Sequence, residues 1–297
     1  MMFPEATILA PGLLGASLGK ALHAAGLVRR ITVWARRPET RAEAARESWC
    51  DAVADTPEEA VSCADLVVIC TPVEVIHPLV EQLADSFKKD TLVTDVGSTK
   101  SLICRNCDHA LRQRKSSAAF VGSHPMAGSE KTGLHHARAD LFANKPCLVT
   151  PLPDTPSATV QRVVRLWQGL GMEVTTLSPE KHDEIVAHIS HLPHLLATIL
   201  SAQLGEREPG WRYLAGNGLA DTTRIAAGSP TLWKSILQQN RDEVLRALDG
   251  FERELQETRA ALANEDWFAL LNALERGKAF RDKLQPLRRN KSTESTS

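Results

Sequence analysis

The chain has 297 residues, of which 43% are hydrophobic and 24% charged, and its formal net charge is -1 at pH 7. This composition is typical of a globular protein with a buried core, and the charge gives no electrostatic case for binding nucleic acid or an anionic membrane. The first residues, MMFPEATILAPG, lack the basic and apolar segments of a signal peptide. Since no stretch approaches the roughly 20 apolar residues of a membrane helix, we expect a cytoplasmic protein.

The first half of the chain alternates between short apolar runs and helical patterns. The runs are nearly continuous in Val, Ile, Leu and Ala, which is typical of parallel strands covered on both faces. They are ATILA (6–10), ITVWA (31–35), DLVVIC (65–70), TLVTD (91–95), AAFVG (118–122) and PCLVT (146–150), with EVTTL (173–177) as a further edge strand. The alternation predicts an α/β fold, with a doubly wound Rossmann-type domain over residues 1–150.

The pattern changes after the Pro- and Ser-rich segment PLPDTPS (151–157), because long helical stretches follow it. We expect an all-helical domain over residues 151–285 that binds substrate. Several of its helices are too apolar to stand alone, so we expect this domain to form a homodimer. The polar, low-complexity end of the chain predicts a disordered tail over residues 286–297.

Six cysteines are spread along the chain, and one pair, Cys104 and Cys107, has CxxC spacing. A structural zinc site would need a second pair of ligands nearby, so we interpret the pair as two reduced thiols on an ordinary helix. His188, His191 and His194 could suggest a metal site. They have no acidic or thiol partner at matching spacing, and we expect no metal.

The first strand runs into a turn that matches the dinucleotide-binding fingerprint G-x-G-x-x-G, with Ala10 at the first position. Gly12 would let the backbone approach a pyrophosphate, and Gly15 would let the following helix pack closely on the strand. The helix N-terminus, with Leu13 and Leu14, would supply amide groups to the phosphates. The alternative is a plain βα turn without a ligand.

The end of the second strand indicates which cofactor is bound. NAD enzymes commonly have an acidic residue there for the ribose 2′-hydroxyl, but this chain has Arg36 and Arg37. Arginine can form a charge-assisted pair with a 2′-phosphate, which a carboxylate would repel. We therefore predict NADP(H), with NAD(H) as the alternative cofactor. If the two arginines do not bind a cofactor, they simply form a solvated basic turn.

Polar residues follow other strands of the predicted sheet: Thr71 and Pro72 after the third, Ser98 after the fourth and His124 after the fifth. In an open α/β sheet the ligand lies beyond the carboxyl ends of the strands, so one crevice can collect them. His124 is flanked by small residues and Pro125, and we expect it to face a nicotinamide.

Several longer motifs occur together and in order: DVGSTK, GSHPMAGSEKTG, SPEKHD, ISHLPHLLA and DTTRIAAGSPTLW. They resemble the prephenate/arogenate dehydrogenase family of tyrosine biosynthesis, over roughly residues 6–285. The resemblance implies oxidative decarboxylation: hydride leaves C4 of the substrate for a nicotinamide, a base takes the C4 hydroxyl proton, and CO2 departs as the ring becomes aromatic. A histidine suits the base, because its pKa lies near working pH.

The resemblance also implies residue roles. His124 is the catalytic histidine, and Ser98 hydrogen-bonds the same hydroxyl or the imidazole. Arg224 binds a substrate carboxylate, His194 contacts the substrate side chain and His191 supports the site, whereas His188 reads as a core histidine. The polar rim of the pocket comprises Ser129, Glu130 and Asp183, of which Glu130 or Asp183 would pair with Arg224. Trp233 either closes one wall or packs a helix.

Other functions stay open at this stage. An arogenate-specific dehydrogenase is favoured by the NADP-like strand end, whereas the second histidine of HLPH favours prephenate; a dual-specificity enzyme would satisfy both. A β-hydroxyacid dehydrogenase or pyrroline-carboxylate reductase would not require HPMAG and would usually carry a catalytic lysine where this chain is rich in histidine. A catalytically silent NADP(H) sensor is the distant alternative, suggested only by Ala10. We expect a monofunctional enzyme, without a fused regulatory or mutase domain.

Overall fold

The computed structural model describes residues 1–128 and 133–284. Nine strands are described: β1 (Phe3–Leu9), β2 (Val28–Trp34), β3 (Ala52–Val53), β4 (Leu66–Ile69), β5 (Leu92–Asp95), β6 (Ala119–Phe120), β7 (Gly122–Pro125), β8 (Pro146–Thr150) and β9 (Glu173–Thr176). The α-helices up to residue 169 are α1 (Leu13–Ala24), α2 (Pro38–Ala44), α3 (Pro57–Val61), α4 (Val73–Leu83), α5 (Ser101–Gln113) and α6 (Ser157–Gly169). The later ones are α7 (Pro179–Val186), α8 (Leu192–Gly205), α9 (Asn217–Thr223), α10 (Pro230–Gln239), α11 (Arg241–Ala263) and α12 (Trp267–Lys283).

Six strands form a parallel sheet in the order β3-β2-β1-β4-β5-β6. This is the strand order of a dinucleotide-binding Rossmann fold, and the predicted fold class is confirmed. The central strands are fully buried: β4 and β5 have no exposed residue, as their nearly continuous apolar runs predicted. The two-residue strand β3 was not predicted.

Three further strands form a second sheet in the order β7-β8-β9, in which β7 is antiparallel to β8 and β8 is parallel to β9. The predicted strand 118–122 is therefore divided between two sheets, with β6 in the first and β7 in the second. His124 lies within β7, opposite Leu148, rather than beyond the end of a parallel strand. The boundary expected at residue 150 falls between β8 and β9 of this second sheet.

Hydrogen bonds from Ser123 join the second sheet to the first. Its backbone N–H donates to Oδ1 of Asp95 at 3.1 Å, and its hydroxyl donates to the backbone oxygen of Asp95 at 2.6 Å. Thr94 contributes a third contact, with its hydroxyl oxygen 2.8 Å from that of Ser123. These buried bonds fix His124, the next residue in the chain, beside the carboxyl end of β5.

Helices α7 and α8 belong to one helical run, Pro179–Gly205, with a π-helical turn at Ala187–His191. The turn ends at His191, two residues before Pro193, which lacks a backbone N–H and was expected to disturb the helix. By length and composition alone this run could cross a membrane, which the sequence patterns did not predict. It carries His182, Asp183 and His191 in buried positions, and 33% of its most apolar 18-residue stretch is buried.

The chain divides into two compact units, residues 1–240 and the part from residue 241 onward. The described part of the second unit consists of α11 and α12, which pack on each other and are joined by an ion pair between Arg276 and Glu254. Large apolar side chains on α12 are exposed in the single chain: Trp267, Phe268, Leu271, Leu274 and Phe280.

Candidate active site

The turn between β1 and α1 has the backbone shape of a phosphate-binding loop. Ala10, which replaces the first glycine of the fingerprint, adopts a left-handed conformation with φ of 67°. A Cβ atom on Gly15 would lie 2.7 Å from the backbone oxygen of Ala10, so this position requires glycine for the helix to approach the strand. Nothing lies within 4 Å of the corresponding point at Gly12, which leaves the first turn of α1, with Leu13 and Leu14, open to a ligand.

Two exposed arginines, Arg36 and Arg37, follow β2. A third, Arg41, was not singled out from the sequence. Its guanidinium donates to the backbone oxygens of Ala35 at 2.8 Å and of Arg36 at 3.5 Å. Arg41 therefore fixes the backbone of the turn that presents the other two arginines.

These segments enclose one cleft of about 600 Å³ beyond the carboxyl ends of the strands. Gly12, Arg36, Arg37, Thr71 and Pro72 all line it, so the structure brings together these predicted cofactor residues. The hydroxyl oxygen of Thr71 is buried and has no hydrogen-bond partner among the described residues, as expected of a group that meets a ligand. The residues present fit a pyridine dinucleotide.

A buried ion pair follows β5. The ammonium group of Lys100 pairs with Oδ2 of Asp95, and both side chains have no exposed surface. Oδ2 of Asp95 also accepts the backbone N–H of Gly97 at 2.8 Å. This carboxylate thus holds the loop that carries Ser98, and it holds β7 through Ser123. Asp95 and Lys100 belong to the motif DVGSTK, but the motif alone did not indicate this role.

His124 is 9% exposed and does not hydrogen-bond to Ser98, which is half-buried. Its Nδ1 atom lies 2.9 Å from Nε2 of His182, a residue that the sequence analysis did not single out. Burial, and then the neighbouring His182 and Lys100, lower the pKa of His124 well below its usual value. His124 is therefore a neutral imidazole near pH 7.

Asp183 lies behind His182 rather than on the rim of a pocket. Its Oδ1 is 2.8 Å from Nδ1 of His182, and its two oxygens accept the backbone N–H groups of Lys100 and Ser101, each at 2.8 Å. Asp183 is thus not the partner of Arg224, because its carboxylate binds the first N–H groups of α5, which have no partner within that helix. The other expected partner of Arg224, Glu130, lies outside the described residues. Burial raises the pKa of Asp183, but these hydrogen bonds leave it below its usual value.

His191 is held by Asn240, the last residue of the first unit and another residue that the sequence did not reveal. The amide nitrogen of Asn240 lies 3.1 Å from Nδ1 of His191 and donates to the backbone oxygen of Asp183 at 2.8 Å. Burial lowers the pKa of His191 to about 4. His191 is thus a buried ring held in place by Asn240. His188, in contrast, is exposed, contrary to the expectation of a core histidine.

The rings of His194 and Trp233 are stacked. Trp233 also makes a T-shaped contact with His191, with the ring centroids 6.0 Å apart. A Cβ atom on Gly228 would lie 2.5 Å from Nε1 of Trp233, so only glycine lets this segment pass so close. Arg224 is exposed at the start of the 3-10 turn Arg224–Ala227, which leads into Gly228 and packs against α8. Two predicted residues, Ser129 and Glu130, lie outside the described residues.

Cys104 and Cys107 lie on the buried face of α5, where burial raises the pKa of Cys104 to about 12 and that of Cys107 well above its usual value. No group of three or more His, Cys, Asp or Glu side chains in residues 1–128 and 133–284 is placed to hold a metal ion.

Comparison with known proteins agrees with this geometry. Residues 18–176 match the family model of the prephenate dehydrogenase nucleotide-binding domain, and residues 178–276 match that of the prephenate dehydrogenase dimerization domain. A prephenate dehydrogenase of Bacillus subtilis is 36% identical over 281 residues, covering 93% of this chain and 75% of its own length. A cyclohexadienyl dehydrogenase of Zymomonas mobilis is 32% identical over 275 residues, covering 91% and 92%.

A solved structure extends the likeness to three dimensions. The crystal structure of prephenate dehydrogenase from A. aeolicus, in complex with hydroxyphenyl propionate and NAD+, superposes with a TM-score of 0.88 at 29% identity. The match covers 96% of this chain and 99% of that one. This chain therefore belongs to the prephenate/arogenate dehydrogenase family of NAD(P)-dependent oxidoreductases.

Proposed function

We propose that this dehydrogenase converts prephenate, and arogenate as an alternative substrate, by oxidative decarboxylation with NADP+ as the hydride acceptor, in tyrosine biosynthesis. The observation that carries the cofactor assignment is the lining of the cleft: Arg36 and Arg37 border the same space as Gly12. Among its described lining residues the one carboxylate is Glu74, which follows β4, not β2. The position after β2 thus suits a 2′-phosphate better than a ribose 2′-hydroxyl.

The cofactor would be held by residues already in place for it. Gly12 to Gly15 would meet its phosphates, Thr71 and Pro72 would border its ribose, and Arg36 and Arg37 would bind its 2′-phosphate. When bound, the nicotinamide supplies the acceptor for the hydride from C4 of the substrate. The left-handed backbone of Ala10 supports an intact loop and weighs against a silent sensor, since alanine here keeps the conformation that the first glycine provides.

His124 is the proposed base. It is buried and neutral, and its Nδ1 is already used by His182, so its Nε2 is the atom left for substrate. His124 takes the C4 hydroxyl proton as the carbonyl develops, and it returns that proton to the phenolate oxygen after CO2 has left. Ser98, on the loop held by Asp95, would donate a hydrogen bond to the same oxygen.

Arg224 is the proposed partner of a substrate carboxylate. Its exposure leaves the guanidinium available, and its segment packs against the helix that carries His194. His194 would contact the substrate side chain, with Trp233 as the wall behind it and His191 as support. Ser129 and Glu130 remain proposed for the rim. His194 favours prephenate, with its pyruvyl group, as the substrate. The second candidate function is an arogenate-specific dehydrogenase, which the NADP-like end of β2 favours.

We further propose a cytoplasmic homodimer formed through the helical region. The match to a dimerization domain and the exposed apolar side chains of α12 support the dimer. The six cysteines are all free, which suits a reducing compartment.

The direct experiment on this proposal is the substitution His124→Asn. We expect turnover to fall by about a hundredfold or more, because acid–base catalysis is lost, while NADP+ binding is retained. His188→Asn serves as the control, since His188 is an exposed histidine and should leave turnover unchanged. Unchanged turnover in His124→Asn would remove His124 from the mechanism.

A further inference from the structure

A carboxylate ends the hydrogen-bonded chain that begins at His124, and it determines where the protons lie. Asp183 accepts two backbone N–H groups from the start of α5, at Lys100 and Ser101. An ionised carboxylate is only an acceptor. The contact of 2.8 Å between Oδ1 of Asp183 and Nδ1 of His182 therefore requires a proton on that nitrogen.

The position of the proton on His182 determines the position of the proton on His124. A neutral imidazole carries one proton, so His182, protonated on Nδ1, presents a lone pair on Nε2. This lone pair lies 2.9 Å from Nδ1 of His124, which must then be the donor. The single proton of neutral His124 is thus on Nδ1, and its Nε2 is an unprotonated base.

We propose that His182 and Asp183 are positioning residues, which hold His124 in the Nδ1-protonated tautomer so that its Nε2 can accept the substrate proton. This inference rests on the proposed role of His124 as the base. In the step itself the hydroxyl proton of the substrate moves to Nε2 of His124, while the proton on Nδ1 continues to donate to His182. The positive charge that forms on His124 is stabilised by the Asp183 carboxylate through the intervening ring.

Asp183 has a second positioning effect, because the two N–H groups it binds follow Ser98 closely in sequence. Its carboxylate fixes the backbone at Lys100 and Ser101, while Asp95 fixes the start of the same loop at Gly97. One carboxylate thus links the orientation of His124 to the position of Ser98. Asp183 is 2% exposed, so no solvent competes for these bonds.

The experiment is ¹⁵N NMR of the histidine side chains in the full-length protein without substrate. In the wild-type protein we expect His124 to show a protonated Nδ1 and an unprotonated Nε2, and His182 to show the same tautomer. Asp183→Asn should give His124 a mixed or reversed tautomer and lower kcat at least about tenfold, with a much smaller change in the KM for substrate.

A second substitution separates positioning from folding. His182→Gln can retain an acceptor oxygen near the position of Nε2, whereas His182→Leu cannot, so Gln should preserve the His124 tautomer and more of the activity. His188→Gln is the matched control on the same helical run. A wild-type His124 protonated on Nε2, or an unaltered tautomer in both Asp183→Asn and His182→Leu, would overturn the inference. The NMR readout needs no turnover, so it fails independently of the proposed function.

Discussion

The imidazole of His194 stacks on the indole of Trp233, with ring centroids 3.5 Å apart and an angle of 8° between the planes. His194 is 5% exposed, and its Nδ1 atom has no hydrogen-bond partner in the described part of the chain. Burial lowers the pKa of His194, and a hydrogen bond with the backbone of Ile225 acts against that shift. The indole face and this bond together orient the ring. Trp233 thus packs on the ring of His194 and against the core of the first unit, and its role as a wall of the substrate pocket stays a proposal.

Replacing Trp233 should weaken substrate binding. In Trp233→Leu the stacking partner is lost, so His194 can rotate, and we expect the KM for substrate to rise at least about threefold, in keeping with the energy of an aromatic pair. Steady-state kinetics at saturating cofactor measures this effect. Leu232→Ala, at an exposed neighbour on α10, is the control, and an equal change in both variants would contradict the role of the stack.

The 2′-phosphate assignment predicts a selective effect of Arg36→Ala. A lost charge-assisted hydrogen bond should raise the KM for NADP+ about tenfold or more and leave the KM for NAD+ nearly unchanged. Arg46→Ala removes an exposed arginine beyond α2 and should affect neither cofactor. Equal losses for NADP+ and NAD+ in Arg36→Ala would reject the role of this arginine in recognising the phosphate.

Ala10→Gly should stabilise the protein. An L-residue in the left-handed region costs about 1–2 kcal/mol, and the extra freedom of glycine in the unfolded chain offsets part of that gain. We expect the free energy of unfolding to rise by about 0.5–1 kcal/mol in urea titrations. Ala45→Gly is the opposite case, because φ at Ala45 is -61° and glycine there should destabilise. Destabilisation by both substitutions would contradict the strain at Ala10.

Stability should fall as the pH drops from about 6.5 toward 4. Burial lowers the pKa of His191 to about 4, so in this window the unfolded chain binds more protons than the folded one. Between pH 7 and pH 5 this single group accounts for about 2 kcal/mol, since one pKa unit corresponds to about 1.4 kcal/mol. His124 and His182, whose pKa values burial also lowers, add to the loss. Urea unfolding at both pH values should show a smaller loss for His191→Asn than for the wild type; equal losses would contradict this account.

The proposed dimer predicts an effect of Phe268→Glu. Phe268 is 75% exposed in the single chain, and a buried glutamate at an apolar interface would be unpaired. We expect the apparent mass from light scattering to change from dimer to monomer. Arg259→Glu introduces the same residue at an exposed polar position of α11 and should remain dimeric. A wild-type protein that is monomeric would reject the proposal outright.

The sequence predicted those parts of the molecule that depend on local pattern. Nearly continuous apolar runs identified β4 and β5, and the turn from Ala10 to Gly15 identified the phosphate loop. The division of residues 118–122 between two sheets was not predictable, because it depends on the hydrogen bonds of Ser123 to Asp95, 28 residues away in the chain. Local apolar character is the same in both halves of that run.

The inner part of the site was the least predictable. His182 is 58 residues from His124, and Asn240 is 49 residues from His191, so their pairing exists only in the folded chain. One local signal was available: adjacent His182 and Asp183 lie near the start of a helix capped by Ser178. A buried neighbouring pair of this kind indicates a partnered acid and base, but it does not indicate which residue they orient.

The measurement that tests the central claim most directly is the absorbance of reduced nicotinamide with purified protein and prephenate or arogenate, each with NADP+ and with NAD+. We expect turnover of prephenate, with kcat/KM at least about tenfold higher for NADP+ than for NAD+, in line with the loss of a charged contact. An absence of turnover in all four mixtures, with NADP+ still bound, would contradict the proposed enzyme.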